Sequence, residues 1–179
     1  MASYPPLQVV RLFPDAKLPV RSNPDDSGLD VFVYQFEALY CRDVAEATRT
    51  LRPNRTNGFS GDPHDIQTFC LRTNERVLVN CGFSATVGEG YEIQMRPRSG
   101  NALKRGLTIL NSPGTIDSSY RGLIGAIVVN LGLEAQEISI GDKIAQIVVA
   151  PVILSEVVEV KRLGETKRGA GGFGHTGSK

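Results

Sequence analysis

The chain has 179 residues, one domain's worth of protein, with 41% hydrophobic residues for a core and 19 glycines and 10 prolines that demand frequent turns. Twenty basic against 19 acidic residues leave a formal charge of +1, which argues against a nucleic-acid coat and a polybasic membrane anchor. The longest apolar runs, such as Ile124 to Val129, are too short to span a bilayer, and three cysteines (Cys41, Cys70, Cys81) with two histidines (His64, His175) suit neither a disulfide framework nor a zinc-ligand spacing.

The stretch from Met1 to Pro14 has no continuous apolar run, so no secretory leader is expected. A reducing, cytoplasmic setting is the expectation, with the nucleus or a host cell also open. Apolar residues recur mostly with period two in short segments rich in β-branched side chains. That pattern predicts strands at 7–12, 29–34, 76–80, 91–95, 107–110, 123–131, 143–149 and 152–162. Turn clusters separate them at 23–28, 88–90, 111–114 and 139–142. Many short strands at about ten-residue spacing predict an all-β sandwich or barrel.

One stretch interrupts the pattern, a polar insertion from about Glu37 to Thr68. Within it Asp43-Val44-Ala45-Glu46 reads as a capping box that starts a short helix, Pro53 ends it, and 57–63 reads as loop. The insertion is either a surface decoration or a functional device. The charge is unevenly spread: five basic residues against one acid from Lys161 to Lys179 give that end +4 and the rest −3. From about residue 164 the chain loses all hydrophobic periodicity, which predicts a domain over 1–163 and a flexible glycine-rich arm over 164–179.

Five segments carry groups suited to chemistry. In the arm, Arg168, the glycines, Phe173, Gly174 and Thr176 offer a guanidinium, backbone donors, a ring and a hydroxyl, the parts needed to wrap a polyphosphate and stack a base. The alternative is a solvated tail with no ligand. Arg96-Pro97-Arg98-Ser99-Gly100-Asn101-Ala102 follows a predicted strand and reads as an anion-binding turn or an ordinary basic one. Asn111 to Gly122 places a lone carboxylate, Asp117, before Tyr120. Asp117 either acts as a general base toward water or makes an Asx turn. Gln146 is polar among alternating apolar residues, so it is buried with a partner or faces a site. Asp30 is the acid in an early apolar run.

In this order and at these separations, the segments resemble the five motifs of the homotrimeric dUTPase family: Ser27-Gly28-Leu29-Asp30, Pro97-Arg98-Ser99-Gly100, Asn111 through Gly122, Gly141-Asp142-Lys143-Ile144-Ala145-Gln146, and Arg168 to Gly177. The resemblance spans nearly the whole chain outside the insertion. It implies a jelly-roll-like β-barrel or sandwich with a short helix or helices, assembled as a trimer with sites between subunits. The implied reaction is Mg²⁺-dependent hydrolysis of dUTP to dUMP and pyrophosphate, which keeps uracil out of DNA and supplies dUMP for thymidylate synthesis. Asp117 would activate the attacking water and bond the sugar 3′-hydroxyl. Asn111, Gly114 and Gly125 would lie on the uracil-reading hairpin, with Tyr120 under the deoxyribose. Arg98, Ser99, Gly100 and Gln146 would hold phosphates, and Asp30 would act through water on the metal or on Arg98. Arg168, Gly174 and Thr176 would close over the phosphates while Phe173 stacks on uracil.

No nucleic-acid or membrane partner is implied, whereas a protein partner at the insertion is open. His175 stands where the family usually has serine, which would make arm closure pH-sensitive. Asn101 replaces the usual leucine, a minor change on sequence grounds. Two alternatives are a dCTP deaminase-like enzyme, disfavoured because no acid lies between Tyr120 and Asn130, and a regulatory dUTP-binding protein acting through the insertion.

Overall fold

The computed structural model describes residues 4–40, 52–53 and 66–172. The helix expected near 43–51, the loop at 57–63, and Phe173, Gly174, His175 and Thr176 lie outside them. The elements in chain order are β1 (Gln8–Arg11), β2 (Leu29–Phe32), β3 (Gln35–Tyr40), β4 (Arg52–Pro53), β5 (Ile66–Leu71), β6 (Arg76–Thr86) and β7 (Tyr91–Pro97). They continue with helix α1 (Ser99–Arg105), β8 (Leu107–Ile109), β9 (Gly114–Ile116), β10 (Leu123–Asn130), β11 (Gln136–Ser139) and β12 (Lys143–Pro151).

All the pairings are antiparallel and fall into three sheets. The first runs β1-β6-β10-β8, and β3 shares the β1 edge of β6 by pairing with its N-terminal half. The second runs β2-β12-β7-β9 and the third β11-β5-β4. The fold is therefore all-β and jelly-roll-like, as expected. Along β6 the apolar residues alternate, and Val77, Val79, Cys81, Phe83 and Ala85 are buried; Asn80 and Gly82 on the other face are buried as well. They meet Ile124, Ala126 and Val128 of β10, Ile93 and Met95 of β7 and Ile147 of β12 in one core. Burying each of the larger side chains stabilises the fold by about 1.5–3 kcal/mol. Among the described residues no helix is long and apolar enough to cross a membrane.

Four expectations need correcting. Residues 152–162 form no strand: their apolar, β-branched side chains meet no sheet edge among the described residues, and Ile153 and Val157 are 90% and 96% exposed. The basic turn after Pro97 is the start of α1, with Arg98 at its N-cap in extended geometry and Gly106 closing it in the left-handed region at φ 66°. Glycine at position 100 hid that helix, since glycine costs about 1 kcal/mol inside one. The insertion is narrower than 37–68, because 37–40 belong to β3 and 66–68 to β5. Asn101 is no minor change. It is buried, and its Nδ2 donates to the carbonyls of Lys143 (3.1 Å) and Ile144 (3.2 Å), fastening α1 to β12.

Candidate active site

The first site is a polar pocket of about 350 Å³ where β2, β12 and the β7–α1 junction meet. Its walls include Ser22, Asp30, Arg98, Ser99, Gly100 and Gln146. Five predicted residues from three distant segments are thus brought together. The β12 register explains how, because Gln146 sits opposite Asp30 on one side and Arg96 on the other. Ser99 and Gly100 begin α1, where the backbone N–H groups of a first turn have no helical acceptor and face outward.

Asp30 organises this pocket. Its Oδ1 accepts from Arg98 Nε at 2.8 Å, and its Oδ2 accepts from Lys143 Nζ at 2.8 Å and Ser22 Oγ at 3.1 Å. Burial alone would push the carboxyl up, but Lys143, Arg98 and Ser22 together outweigh it and hold it below its ordinary 3.8. Arg98 Nη1 also donates to the Lys143 carbonyl at 3.3 Å, so the guanidinium is fixed at two points. Gln146 resolves its two readings by doing both: its Nε2 donates to the Pro97 carbonyl at 2.9 Å while the side chain lines the pocket. Lys143 and Ser22 were not picked out by sequence. Lys143 lay within a recognised motif, whereas Ser22 carries no signal outside the folded structure.

The second site is formed where the chain crosses from one sheet to the other, at the β9–β10 connection. One pocket, again about 350 Å³, holds Asn111, Gly114, Tyr120 and Gly125 together with Glu37 and Met95. A smaller one of about 180 Å³ at the same connection holds Asp117, Tyr120 and Gly125. Gly114 is buried between neighbours: a Cβ there would lie 3.1 Å from Asn111 Nδ2 and 3.3 Å from Met95 Cβ. Asp117 is exposed and hydrogen-bonds through its side chain to no other described residue, so its carboxylate is available to a ligand or water. Tyr120 folds back over the backbone, its hydroxyl donating to the Leu123 carbonyl at 3.0 Å. Glu37 is an unpredicted member of this wall, accepting from Asn80 Nδ2 at 2.8 Å; its place at a β-bulge of β3 put it inside what read as insertion.

The two sites share no lining residue within the chain. Arg168 belongs to neither pocket; it is exposed and donates through Nε to the Gly171 carbonyl at 2.8 Å. A further cavity of about 380 Å³, bounded by Phe13, Lys17, Tyr34 and Cys81, contains none of the predicted site residues. The Cys81 thiol is pushed up to about 12 by burial, too high to serve as a nucleophile.

Among the described residues no cluster of three or more His, Cys, Asp or Glu could cage a metal. Asp30 already has both oxygens engaged by cations and a hydroxyl. This donor set fits a divalent ion that arrives on a ligand's phosphates better than one held by the protein alone.

An all-β chain with a cation-rich pocket and a carboxylate-bearing turn between two sheets has counterparts among solved structures. A mutant of the Staphylococcus bacteriophage 80alpha dUTPase, with dUpNHpp, aligns with a TM-score of 0.71 over 96% of this chain and 98% of that one, at 22% identity. A mutant dUTPase from phage phi11 of S. aureus, described with a structural Mg(II) ion, aligns at 0.64 over 89% and 99%, also at 22% identity. In sequence, the deoxyuridine 5'-triphosphate nucleotidohydrolase of Heliobacterium modesticaldum is 40% identical over 172 residues, 96% of both chains. That of Wolinella succinogenes is 57% identical over 102 residues, 57% of this chain and 68% of its own. The dUTPase family model matches residues 65–177, and the chain belongs to the dUTPase family.

Proposed function

We propose that the two pockets are the two halves of a dUTP-hydrolysing site completed by trimer formation. The chain is a dUTP diphosphatase that converts dUTP to dUMP and pyrophosphate. The observation that carries the assignment of roles is the clustering of Asp30, Arg98, Ser99, Gly100 and Gln146 in one pocket, with the exposed Asp117 carboxylate lining a separate one.

In this reading the cationic pocket receives the triphosphate. Arg98, oriented by Asp30, and the outward N–H groups of Ser99 and Gly100 neutralise and position it, while Gln146 bounds it. The pockets at the β9–β10 connection receive the nucleoside. Asn111, Gly114 and Gly125 shape the base pocket, where a backbone pattern matched to uracil rejects cytosine by leaving buried groups unpaired, at about 1–3 kcal/mol each. Tyr120 lies under the deoxyribose and leaves no room for a 2′-hydroxyl. Asp117 takes a proton from water as the water oxygen bonds to the α-phosphorus. The bond from that phosphorus to the α–β bridging oxygen breaks, and pyrophosphate leaves.

Magnesium carried on the phosphates would offset their negative charge, with Asp30 acting mainly by holding Arg98. The arm over 164–179 would bring Arg168, Phe173, Gly174 and Thr176 over the bound nucleotide. The separateness of the two pockets among the described residues supports a homotrimer in which one subunit's Asp117 turn faces another's cationic pocket. The exposed apolar residues of 152–163 support the same assembly, as surface that a neighbouring subunit covers. Assaying pyrophosphate release across a panel of deoxynucleotides tests the reading. It predicts release from dUTP; ammonia from dCTP, or dUTP bound without turnover, would contradict it.

A further inference from the structure

The turn that carries Asp117 is poorly supported. Residues 117–122 belong to no strand, and the backbone hydrogen bond within them, Tyr120 N–H to the Asp117 carbonyl at 3.0 Å, is internal. Behind the turn lies an open groove of about 550 Å³ bounded by Pro5, Pro6, Gln8, Ser118 and Arg121. Little packing therefore fixes the turn from that side.

One hydroxyl does tie it to the sheet. Thr86, the last residue of β6, is held in register by its pairing with Gln8 of β1. Its Oγ1 donates to the Ser118 carbonyl at 2.7 Å and accepts from Arg121 Nη1 at 3.1 Å. The same Arg121 nitrogen donates to the carbonyls of Ser118 (2.7 Å) and Tyr120 (2.8 Å). Arg121 thus staples the turn to itself. Among the described residues, Thr86 is the residue beyond 117–123 whose side chain hydrogen-bonds the turn.

We infer that Thr86 is a positioning residue for catalysis, a hydroxyl latch that fixes the Asp117–Tyr120 turn to the end of β6. It touches no predicted phosphate or base contact. It sets where the Asp117 carboxylate stands relative to the water it activates. The inference rests on Asp117 being the base. Freed of the latch, the turn keeps its internal bonds but wanders as a unit, and displacements of about 1 Å at a reacting group cost up to about 10²-fold in rate.

Valine matches threonine in shape without the hydroxyl, and serine keeps the hydroxyl without the methyl. The test is kcat and KM for dUTP in full-length Thr86→Val and Thr86→Ser, with melting temperatures as a fold control and Asp117→Asn alongside. The latch predicts that Thr86→Val lowers kcat about tenfold at a KM changed less than about threefold. It predicts that Thr86→Ser stays within about twofold of the parent, and that Asp117→Asn is inactive. An inactive Asp117→Asn beside an unimpaired Thr86→Val overturns the latch and leaves the base assignment standing. Equal losses in Thr86→Val and Thr86→Ser make the effect steric, which also overturns it. An active Asp117→Asn removes the base, and with it the latch's route to the reaction.

Discussion

Gln146 occupies the space that a side chain on Gly28 would need: a Cβ at position 28 would lie 2.1 Å from Gln146 Oε1. The glycine of the first motif is therefore a packing requirement set by the glutamine of the fourth. The two segments, more than a hundred residues apart, form one wall of the cationic pocket.

Substituting Gly28→Ala should displace Gln146 and break its bond to the Pro97 carbonyl. The expected outcome is weaker dUTP binding, with KM raised about five- to fiftyfold, the equivalent of losing one or two hydrogen bonds. Steady-state kinetics, with a melting curve to confirm folding, checks this.

Asp30 links the pocket to pH. Its folded-state carboxyl is held below the ordinary 3.8, so its stabilising contribution is complete above that value and is lost as the pH falls through the lowered one. Asp30→Asn should therefore cost about 1–3 kcal/mol near neutrality, where it leaves Arg98 and Lys143 without their anion, and should flatten the acid limb of the stability curve. Urea titrations from pH 3 to pH 7 read both effects.

Asn101→Ala should destabilise the chain by about 1–3 kcal/mol, because it leaves the Lys143 carbonyl with only its long bond from Arg98 and the Ile144 carbonyl without this side-chain donor. Leucine in its place should recover part of that loss through apolar burial. Thermal melts of the three proteins give the ranking.

Gly122 answers to Tyr120 as Gly28 answers to Gln146, since a Cβ there would lie 2.3 Å from the tyrosine hydroxyl. Gly122→Ala should push the ring off its seat and break the bond to the Leu123 carbonyl. The discrimination of dUTP against UTP should fall about tenfold or more, measured as the ratio of kcat/KM values.

Much of the architecture was legible because β6, β10 and β12 are dense in apolar, β-branched residues, with buried ones at alternate positions over much of their length. What failed did so for physical reasons. Residues 152–162 are rich in apolar, β-branched side chains, yet composition does not supply a partner edge. β11 was missed because Ile138 is its one buried apolar residue, and β5 because Phe69 and Leu71 follow a polar stretch. Four of the motif segments supplied residues of the two sites, whereas Arg168 of the fifth lines neither. Ser22, Glu37 and Thr86 were invisible because each matters through a partner that only folding brings near.

The most direct test of the account is Asp117→Asn, assayed in parallel for pyrophosphate release and for dUTP binding. Loss of a general base predicts turnover reduced by about 10²–10⁴-fold with nucleotide affinity nearly intact. Turnover at the parent rate would contradict it, as would loss of binding in step with activity.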